Sequence, residues 1–259
     1  CATDVAFSYM VARAIFRHHP AIPFLLLLAI ADDALGLVVL TLFYPSHPPR
    51  LVVGGLLLAA AVILALGLRT AGVRRVWPYL AVSGTTSWAA LFVGGLHPAL
   101  ALIPVVAFMP HAARDRGLAV EAPEPRDTLN QFEHTWKTPV QIILFFFGVV
   151  NAGVPLRMSG PATWSVLAAI LAGKPLGIAG AVLAAVALGM RLPPHFNRAD
   201  LVVVGCAAGI GFTVALFFAT AAFPPGPALD QAKLGAMLSV AGAGVTVAAA
   251  RMLRVGRFN

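Results

Sequence analysis

Long apolar segments separated by short polar ones occupy almost the whole chain. The run from Ala21 to Tyr44 contains no charged residue except the adjacent pair Asp32 and Asp33. Folded as a helix it would be about 36 Å long, which is enough to cross the hydrocarbon core of a bilayer with some tilt. The same pattern predicts a partial segment near 2–17 and about eight full spans, near 21–44, 51–68, 78–95, 97–113, 138–155, 163–190, 199–223 and 231–252. We therefore expect an all-α, polytopic helical membrane protein.

Composition supports the membrane class and argues against a soluble protein. The chain is 59% hydrophobic and 11% charged, whereas about 25% of residues are charged in a typical soluble domain. A membrane β-barrel would show short segments of alternating polarity, but the apolar runs here are continuous. No polar stretch is long enough for a separate domain, so we expect a single transmembrane domain over residues 1–259.

The first residues have the composition of the interior of an apolar segment. The chain begins with Cys1 rather than Met, and no signal peptide or amphipathic leader precedes residues 2–17. We therefore expect the chain to be the C-terminal part of a longer protein.

Basic residues are distributed unequally between alternate predicted loops. Of the 18 Lys and Arg residues, one set of loops carries only Arg50, Arg157 and Lys233, and nearly all the others lie in the opposite set. Because basic residues accumulate in cytoplasmic loops, this predicts a cytoplasmic C-terminus and a cytoplasmic loop near 111–137. Topology then explains the net charge of +8, and we expect no nucleic-acid partner.

Some ionisable residues fall inside predicted spans, namely Asp4, Asp32, Asp33 and Lys174. A charged side chain near the bilayer centre costs at least about 2.5 kcal/mol, so such groups are expected to face the bundle interior and to pair. Successive helical residues point about 100° apart, so Asp32 and Asp33 cannot face one partner equally. We expect one of them to pair with Lys174 and the other to face a water-filled cavity, where it could exchange a proton for a cation. The alternative is a static ion pair between helices.

Two of the predicted spans contain residues that weaken helices. Gly205, Gly209 and Gly211 lie close together in the penultimate span, and an interrupted helix there would present two half-helix ends with partial charges. Gly205 and Gly209 also fit a small-residue packing face, so close helix packing is an alternative. Pro175 follows Lys174 and predicts a kink, because proline removes one backbone hydrogen bond.

Together these residues resemble the NhaA-type sodium/proton antiporter family. The points of resemblance follow the family's order over the whole chain. They are Ala2-Thr3-Asp4-Val5-Ala6-Phe7, the Asp32-Asp33 pair leading to Leu42-Phe43-Tyr44, Asn151-Ala152-Gly153-Val154, Gly173-Lys174-Pro175-Leu176-Gly177-Ile178 and Gly209-Ile210-Gly211-Phe212-Thr213. The resemblance implies an inverted-repeat antiporter fold of twelve helices, in which two interrupted helices cross near the midplane. This chain would hold the last eight helices and half of the fourth.

The resemblance also implies roles for individual residues. Asp33 would be the principal ion-binding carboxylate, with Thr3 and Asp4 at the start of one interrupted helix. Asp32 would contact the transported Na⁺ with Asp33, or pair with Lys174. Asp4 and Lys174 would balance the charges of the opposed half-helix ends. The residues of the second interruption would be Gly209, Ile210, Gly211 and Phe212.

A further match concerns regulation. Glu133 and His134 resemble a cytoplasmic Glu-His pair that is linked to pH sensing in the family. The family usually has a second His three residues later, and Lys137 stands there instead. This departure bears on pH regulation rather than on ion binding.

The function implied by the resemblance is exchange of Na⁺ or Li⁺ for H⁺ across the inner membrane, for sodium and pH homeostasis. Such a protein is a transporter rather than an enzyme, and we expect no cofactor. Its partners would be the ions, membrane lipid and a second copy of itself, although the family's dimer-forming hairpin is absent from this chain. The alternatives are a non-transporting membrane subunit or inactive fragment, and an organic-anion transporter, which would need cavity-lining Arg, Ser and Thr that the spans offer sparsely.

Overall fold

The computed structural model describes residues 3–17, 19–44, 50–110 and 128–258. Within these ranges every regular element is helical and no strand occurs. The α-helices are α1 (Val5–Phe16), α2 (Ala21–Phe43), α3 (Leu51–Thr70), α4 (Val76–Pro78), α5 (Thr85–Gly94), α6 (Ile103–Val106), α7 (Thr128–Asn151), α8 (Pro161–Ala168), α9 (Lys174–Ala187), α10 (Arg198–Ala208), α11 (Phe212–Ala222), α12 (Pro227–Leu238) and α13 (Gly242–Met252). The π-helical turns are Tyr79–Gly84 and Ala169–Gly173, and the 3₁₀ turns are Pro98–Leu100, Leu156–Met158, Ser239–Ala241 and Gly256–Phe258.

Several helices have the length and composition of membrane spans. In the described ranges, the continuous helices that qualify are Ala21–Thr41, Leu51–Thr70, Pro161–Ala187 and Pro227–Met252. The pair α10 and α11 forms one further, bent candidate. Many large apolar side chains face outward, such as Val52 at 77% and Leu188 at 83% exposure, which favours lipid over water as the surroundings. The all-α, polytopic helical class predicted from hydropathy is confirmed.

The structure differs from the hydropathy prediction between residues 97 and 137. The described part of the expected span 97–113 holds only a 3₁₀ turn and the short α6, because Pro98 and Pro104 lack the N–H groups that a continuous helix needs. Residues 111–127 of the expected cytoplasmic loop lie outside the described residues. The rest of that loop is already helical, because α7 begins at Thr128, whose hydroxyl donates to the Arg74 carbonyl over 2.8 Å.

Contacts along the chain define two compact units, Cys1–Gly36 with Phe146–Asn259, and Leu37–Phe145. The first unit has its core where α1, α10 and α13 meet, with Ile15, Val204 and Ala250 fully buried there. The buried residues of α10 include the small residues Gly205, Ala207 and Ala208, which let neighbouring helices approach closely.

The second unit is organised by the packing of α3 against α5. A Cβ added to Gly54 would lie 2.6 Å from the α-carbon of Gly94, so the two glycines let these backbones approach closely. Tyr79 is fully buried at the start of the π-turn, and its hydroxyl donates to the Val73 carbonyl over 3.2 Å.

The expected kink at Pro175 takes the form of a π-helical turn within the first unit. Residues Ala169–Gly173 widen the helix immediately before Lys174, and α9 continues from there with Pro175 in its first turn. Proline lacks an N–H and crowds the carbonyl four residues earlier, so a wider turn accommodates it without ending the span. The bulge sets the position of Lys174 along the helix.

Candidate ion-binding site

The penultimate span is interrupted at its closely spaced glycines, which is one of the two alternatives that their pattern left open. α10 ends at Ala208, α11 begins at Phe212, and their axes differ by 55°. The amide of Gly209 lies 3.1 Å from the carbonyls of both Gly205 and Cys206, which closes the last turn of α10. The interruption leaves the carbonyl end of one half-helix and the amide end of the other in the interior of the first unit.

Gly209 is required at this point by packing rather than by backbone conformation. Its φ is −71°, which any residue adopts, but an added Cβ would lie 2.8 Å from the Ile170 carbonyl oxygen. We expect Gly209→Ala to lower the free energy of unfolding by about 1–3 kcal/mol, because backbone must move to admit the methyl group. The measurement is chemical unfolding of the full-length protein in detergent. Gly177→Ala is the matched control, since nothing lies within 4 Å of its added Cβ, and an equal loss in both variants would contradict the packing argument.

The start of α1 meets the carbonyl end of α10. The Asp4 amide donates to the Ile210 carbonyl over 2.7 Å, and the Ser8 hydroxyl donates to the Ala207 carbonyl over 2.8 Å. These bonds satisfy carbonyls that the interruption frees, and they join the positive end of one helix dipole to the negative end of another. The approach of α1 to the break is therefore favourable.

The Asp4 carboxylate lies between two helix N-termini. Its Oδ1 accepts from the Phe7 amide over 3.1 Å and caps α1. Its Oδ2 accepts from the Thr213 amide over 3.2 Å and from the Thr213 hydroxyl over 2.6 Å, at the start of α11. One buried negative charge thus satisfies donors at two positive helix ends.

Lys174 and Asp32 form an ion pair in the same region, with Nζ 2.6 Å from Oδ2. The lysine side chain is only 7% exposed, whereas that of Asp32 is 31% exposed. Nζ also donates to the Thr3 hydroxyl oxygen over 2.6 Å. The ammonium group therefore has two oxygen partners and little access to solvent.

Thr3 connects the ion pair, the second carboxylate and the helix break. Its amide donates to Asp33 Oδ1 over 3.3 Å, and its hydroxyl lies 3.2 Å from Asp32 Oδ2 and 3.0 Å from the Ala208 carbonyl. The hydroxyl has one proton, so it donates to one of these two acceptors at a time. Thr3 is fully buried, which holds the arrangement in place.

Asp33 differs from Asp32 in its surroundings. It is partly buried, its Oδ1 receives the single Thr3 amide bond, and no lysine or arginine lies in ion-pair contact with it among the described residues. Thr3 links the two carboxylates, because its amide donates to Asp33 and its hydroxyl lies 3.2 Å from Asp32 Oδ2. Hard cations prefer such oxygen ligands, and the same carboxylates can instead take up a proton.

Comparison with known proteins assigns the chain to a family. The profile of the family described as Na⁺/H⁺ antiporter 1 matches residues 1–251. The chain belongs to this antiporter family. Among its relatives are proteins named Na⁺/H⁺ antiporter NhaA from Jannaschia sp. (46% identical, 98% of this chain and 65% of the relative) and from Geotalea uraniireducens (46% identical, 98% and 67%). The relative of the same name from Geobacter sulfurreducens is 44% identical, over 99% of this chain and 68% of the relative. The chain thus spans about two thirds of the length of the curated antiporters it matches.

The structure brings most of the predicted site residues of the antiporter together in its first unit. The assembled residues are Thr3, Asp4, Asp32, Asp33, Lys174 and Gly209–Phe212. Glu133 and His134 lie in the second unit, exposed on α7. Thr213, Ser8 and Ser239 were not among the predicted site residues. Thr213 binds Asp4, Ser8 binds the end of α10, and the Ser239 hydroxyl lies 3.4 Å from the Gly211 amide.

The double capping role of Asp4 predicts a large effect on stability. We expect Asp4→Ala to lower the free energy of unfolding by about 2 kcal/mol or more, because donors at two helix ends lose their acceptor at once. Asn197→Ala is the matched control, since Asn197 caps only α10 and its loss should cost about 1 kcal/mol. Urea unfolding in detergent compares the two. Equal losses would mean that Asp4 contributes only one cap.

Proposed function

We propose that the full-length protein is a secondary antiporter that exchanges Na⁺ or Li⁺ for H⁺. The observation that carries the proposal is Asp33, a partly buried carboxylate in the antiporter's interior that lacks the lysine partner held by its neighbour Asp32. Membership of the Na⁺/H⁺ antiporter family supports the choice of ions.

Exchange follows from competition at the carboxylates. Loading of Na⁺ at Asp33, with oxygens from Asp32 and Thr3 nearby, displaces a proton, and protonation displaces the cation. Each half-reaction leaves the site nearly neutral, so either loaded form can be carried between the two membrane faces by alternating access. The proton gradient supplies the driving force, and no bound cofactor takes part.

We place the protein in the inner membrane as a multi-pass protein with a cytoplasmic C-terminus. The distribution of Lys and Arg between alternate loops supports this orientation. Glu133 and His134 would then lie on the cytoplasmic side, where they could respond to internal pH. A homodimer, as in the resembled family, belongs to the same proposal.

The test is proton flux in everted membrane vesicles that contain the full-length protein. An acid-interior gradient is established, and Na⁺, Li⁺ or K⁺ is added while a pH-sensitive dye reports proton release. We expect release with Na⁺ and Li⁺ and little with K⁺. Absence of release with every cation, in vesicles shown to contain the protein, would favour the non-transporting subunit instead.

A further inference from the structure

A basic cleft lies at one end of the first unit, away from the helix break. It has a volume of about 490 Å³ and is formed where α1 ends, α10 begins and the chain leaves α13. The basic residues that line it are Arg17, His19, His195, Arg254 and Arg257. None of these residues has a role in the proposed ion exchange.

The backbone around this cleft is unusual. The non-glycine residues with positive φ in the described ranges are Arg17 (57°), His195 (63°) and Arg254 (52°), and all three line the cleft. A non-glycine residue held at such a φ costs about 1–3 kcal/mol, and glycine is the residue that adopts a positive φ most readily. Basic side chains are therefore retained where the backbone favours glycine, and strain of this kind collects at functional sites.

A glycine does occur at the cleft, where a side chain would not fit. Gly256 has a φ of 63°, and an added Cβ would collide with the Ile15 carbonyl oxygen. The neighbouring Arg254 has a similar φ, but its side chain lies exposed in the cleft. Backbone requirements alone account for Gly256, whereas they do not account for Arg254.

Among the described residues, no carboxylate forms an ion pair with an arginine of the cleft. Asp200 is the acidic lining residue, and it is 4% exposed, accepts from the Asn197 amide over 2.8 Å and lies 3.9 Å from His19 Nε2. Arg17, Arg254 and Arg257 form no ion pair with any residue in the part of the chain that the structure describes. The cleft therefore presents several cations to an incoming ligand.

The position of the cleft along the membrane normal follows from the length of α10. Asp200 lies nine positions before Gly209, which at 1.5 Å per helical residue corresponds to about 14 Å. If the break lies near the midplane, this distance is about half the thickness of the hydrocarbon core, so the cleft lies at the level of lipid headgroups.

We propose that this cleft binds a phosphate group, carried by a lipid headgroup or by free phosphate. Arginine binds phosphate through two parallel hydrogen bonds, and several arginines that line one cleft suit its tetrahedral oxygens. The phosphate would neutralise the arginine side chains that follow α1 and α13, and it would link the ends of these two helices in the antiporter's core. This inference depends on the membrane placement but not on the proposed transport.

The experiment measures thermal unfolding of the full-length protein in phosphate-free detergent. Phosphatidylglycerol, diacylglycerol with the same acyl chains, or inorganic phosphate is titrated in, because a ligand that binds the folded state raises the melting temperature. We expect phosphatidylglycerol to raise it and diacylglycerol not to. If inorganic phosphate also raises the melting temperature, the phosphate group alone is sufficient for binding. If only phosphatidylglycerol raises it, the ligand is the lipid headgroup.

The decisive variant is Arg17→Gly/Arg254→Gly. Glycine relieves the positive φ, so the melting temperature without ligand should stay the same or rise, while the concentration for half-maximal stabilisation should rise about thirtyfold. Arg17→Lys/Arg254→Lys keeps the charge without the paired hydrogen bonds, so it should raise the concentration for half-maximal stabilisation only about threefold. Arg69→Gln/Arg191→Gln removes two exposed arginines elsewhere and should change nothing. The proposal is overturned if neither phosphate compound stabilises the protein. It is also overturned if the concentration for half-maximal stabilisation rises as much in this control as in the glycine variant.

Discussion

Vesicles that contain the Asp33→Asn protein are expected to show no sodium-dependent proton release. Asparagine is close in size to aspartate, and its amide oxygen can still accept the Thr3 amide bond over 3.3 Å. It cannot be protonated at the pH of the assay, and it carries no negative charge to balance a cation. Release after addition of Na⁺ should therefore fall to the level of vesicles without the protein.

The control for this assay is a variant that loses a carboxylate at a different position. Asp230 lies in the first turn of α12 and has no ion-pair partner among the described residues, so Asp230→Asn should keep the wild-type rate. The amount of protein in the vesicles and its melting temperature must match between variants. Normal exchange by Asp33→Asn under these conditions would remove Asp33 from the mechanism.

The helical class and the main charges of the site could be predicted because they depend on local pattern. A charged residue inside an apolar run is unusual however the helices pack. Asp32, Asp33 and Lys174 can therefore be identified before any fold is known. Closely spaced glycines weaken a helix irrespective of its neighbours, but they also suit close helix packing, so the interruption at Gly209–Phe212 was expected from the family resemblance and not from the glycines alone.

The polar contacts around the break could not be predicted in the same way. Ser8 and Thr213 are ordinary small polar residues in apolar helices. Their roles depend on the register of α1 against α10 and α11, and α1 lies about 200 positions before these two helices in sequence. In the prediction from sequence, Asp4 could offset positive helix ends, but the choice of the Thr213 and Phe7 donors required coordinates. The helix α7 begins at Thr128, before the predicted span 138–155, because its first turns are polar and hydropathy reports only where apolar residues begin.

The structure also separates the two neighbouring carboxylates, whose roles the charge pattern alone leaves open and the family resemblance assigned in the same sense. Asp32 has the lysine at 2.6 Å, and Asp33 has a backbone amide at 3.3 Å. A carboxylate held by an ammonium group is already neutralised and has less to gain from a cation, whereas Asp33 is not. Under the proposed function, Asp32 and Lys174 therefore shape the site and Asp33 carries the exchanged charge.

Loss of the lysine should reveal how much the ion pair contributes. We expect Lys174→Ala to lower the free energy of unfolding by about 2 kcal/mol, because it leaves Asp32 as an uncompensated charge in the interior and removes a donor from Thr3. The loss is smaller than for a fully buried pair, because the Asp32 side chain is 31% exposed. Lys233→Ala, which breaks no ion pair among the described residues, should stay within about 0.5 kcal/mol of the wild type.

A double-mutant cycle distinguishes the ion pair from the packing of the lysine stem. If the pair matters, Asp32→Asn should cost less stability in the Lys174→Ala background than in the wild type, because the unpaired charge has been removed, with a coupling of about 1 kcal/mol. Purely additive losses would show that Lys174 acts through its apolar stem and its bond to Thr3. In that case Asp32 would be free to share the cation with Asp33, and the division of roles between the two carboxylates would have to be abandoned.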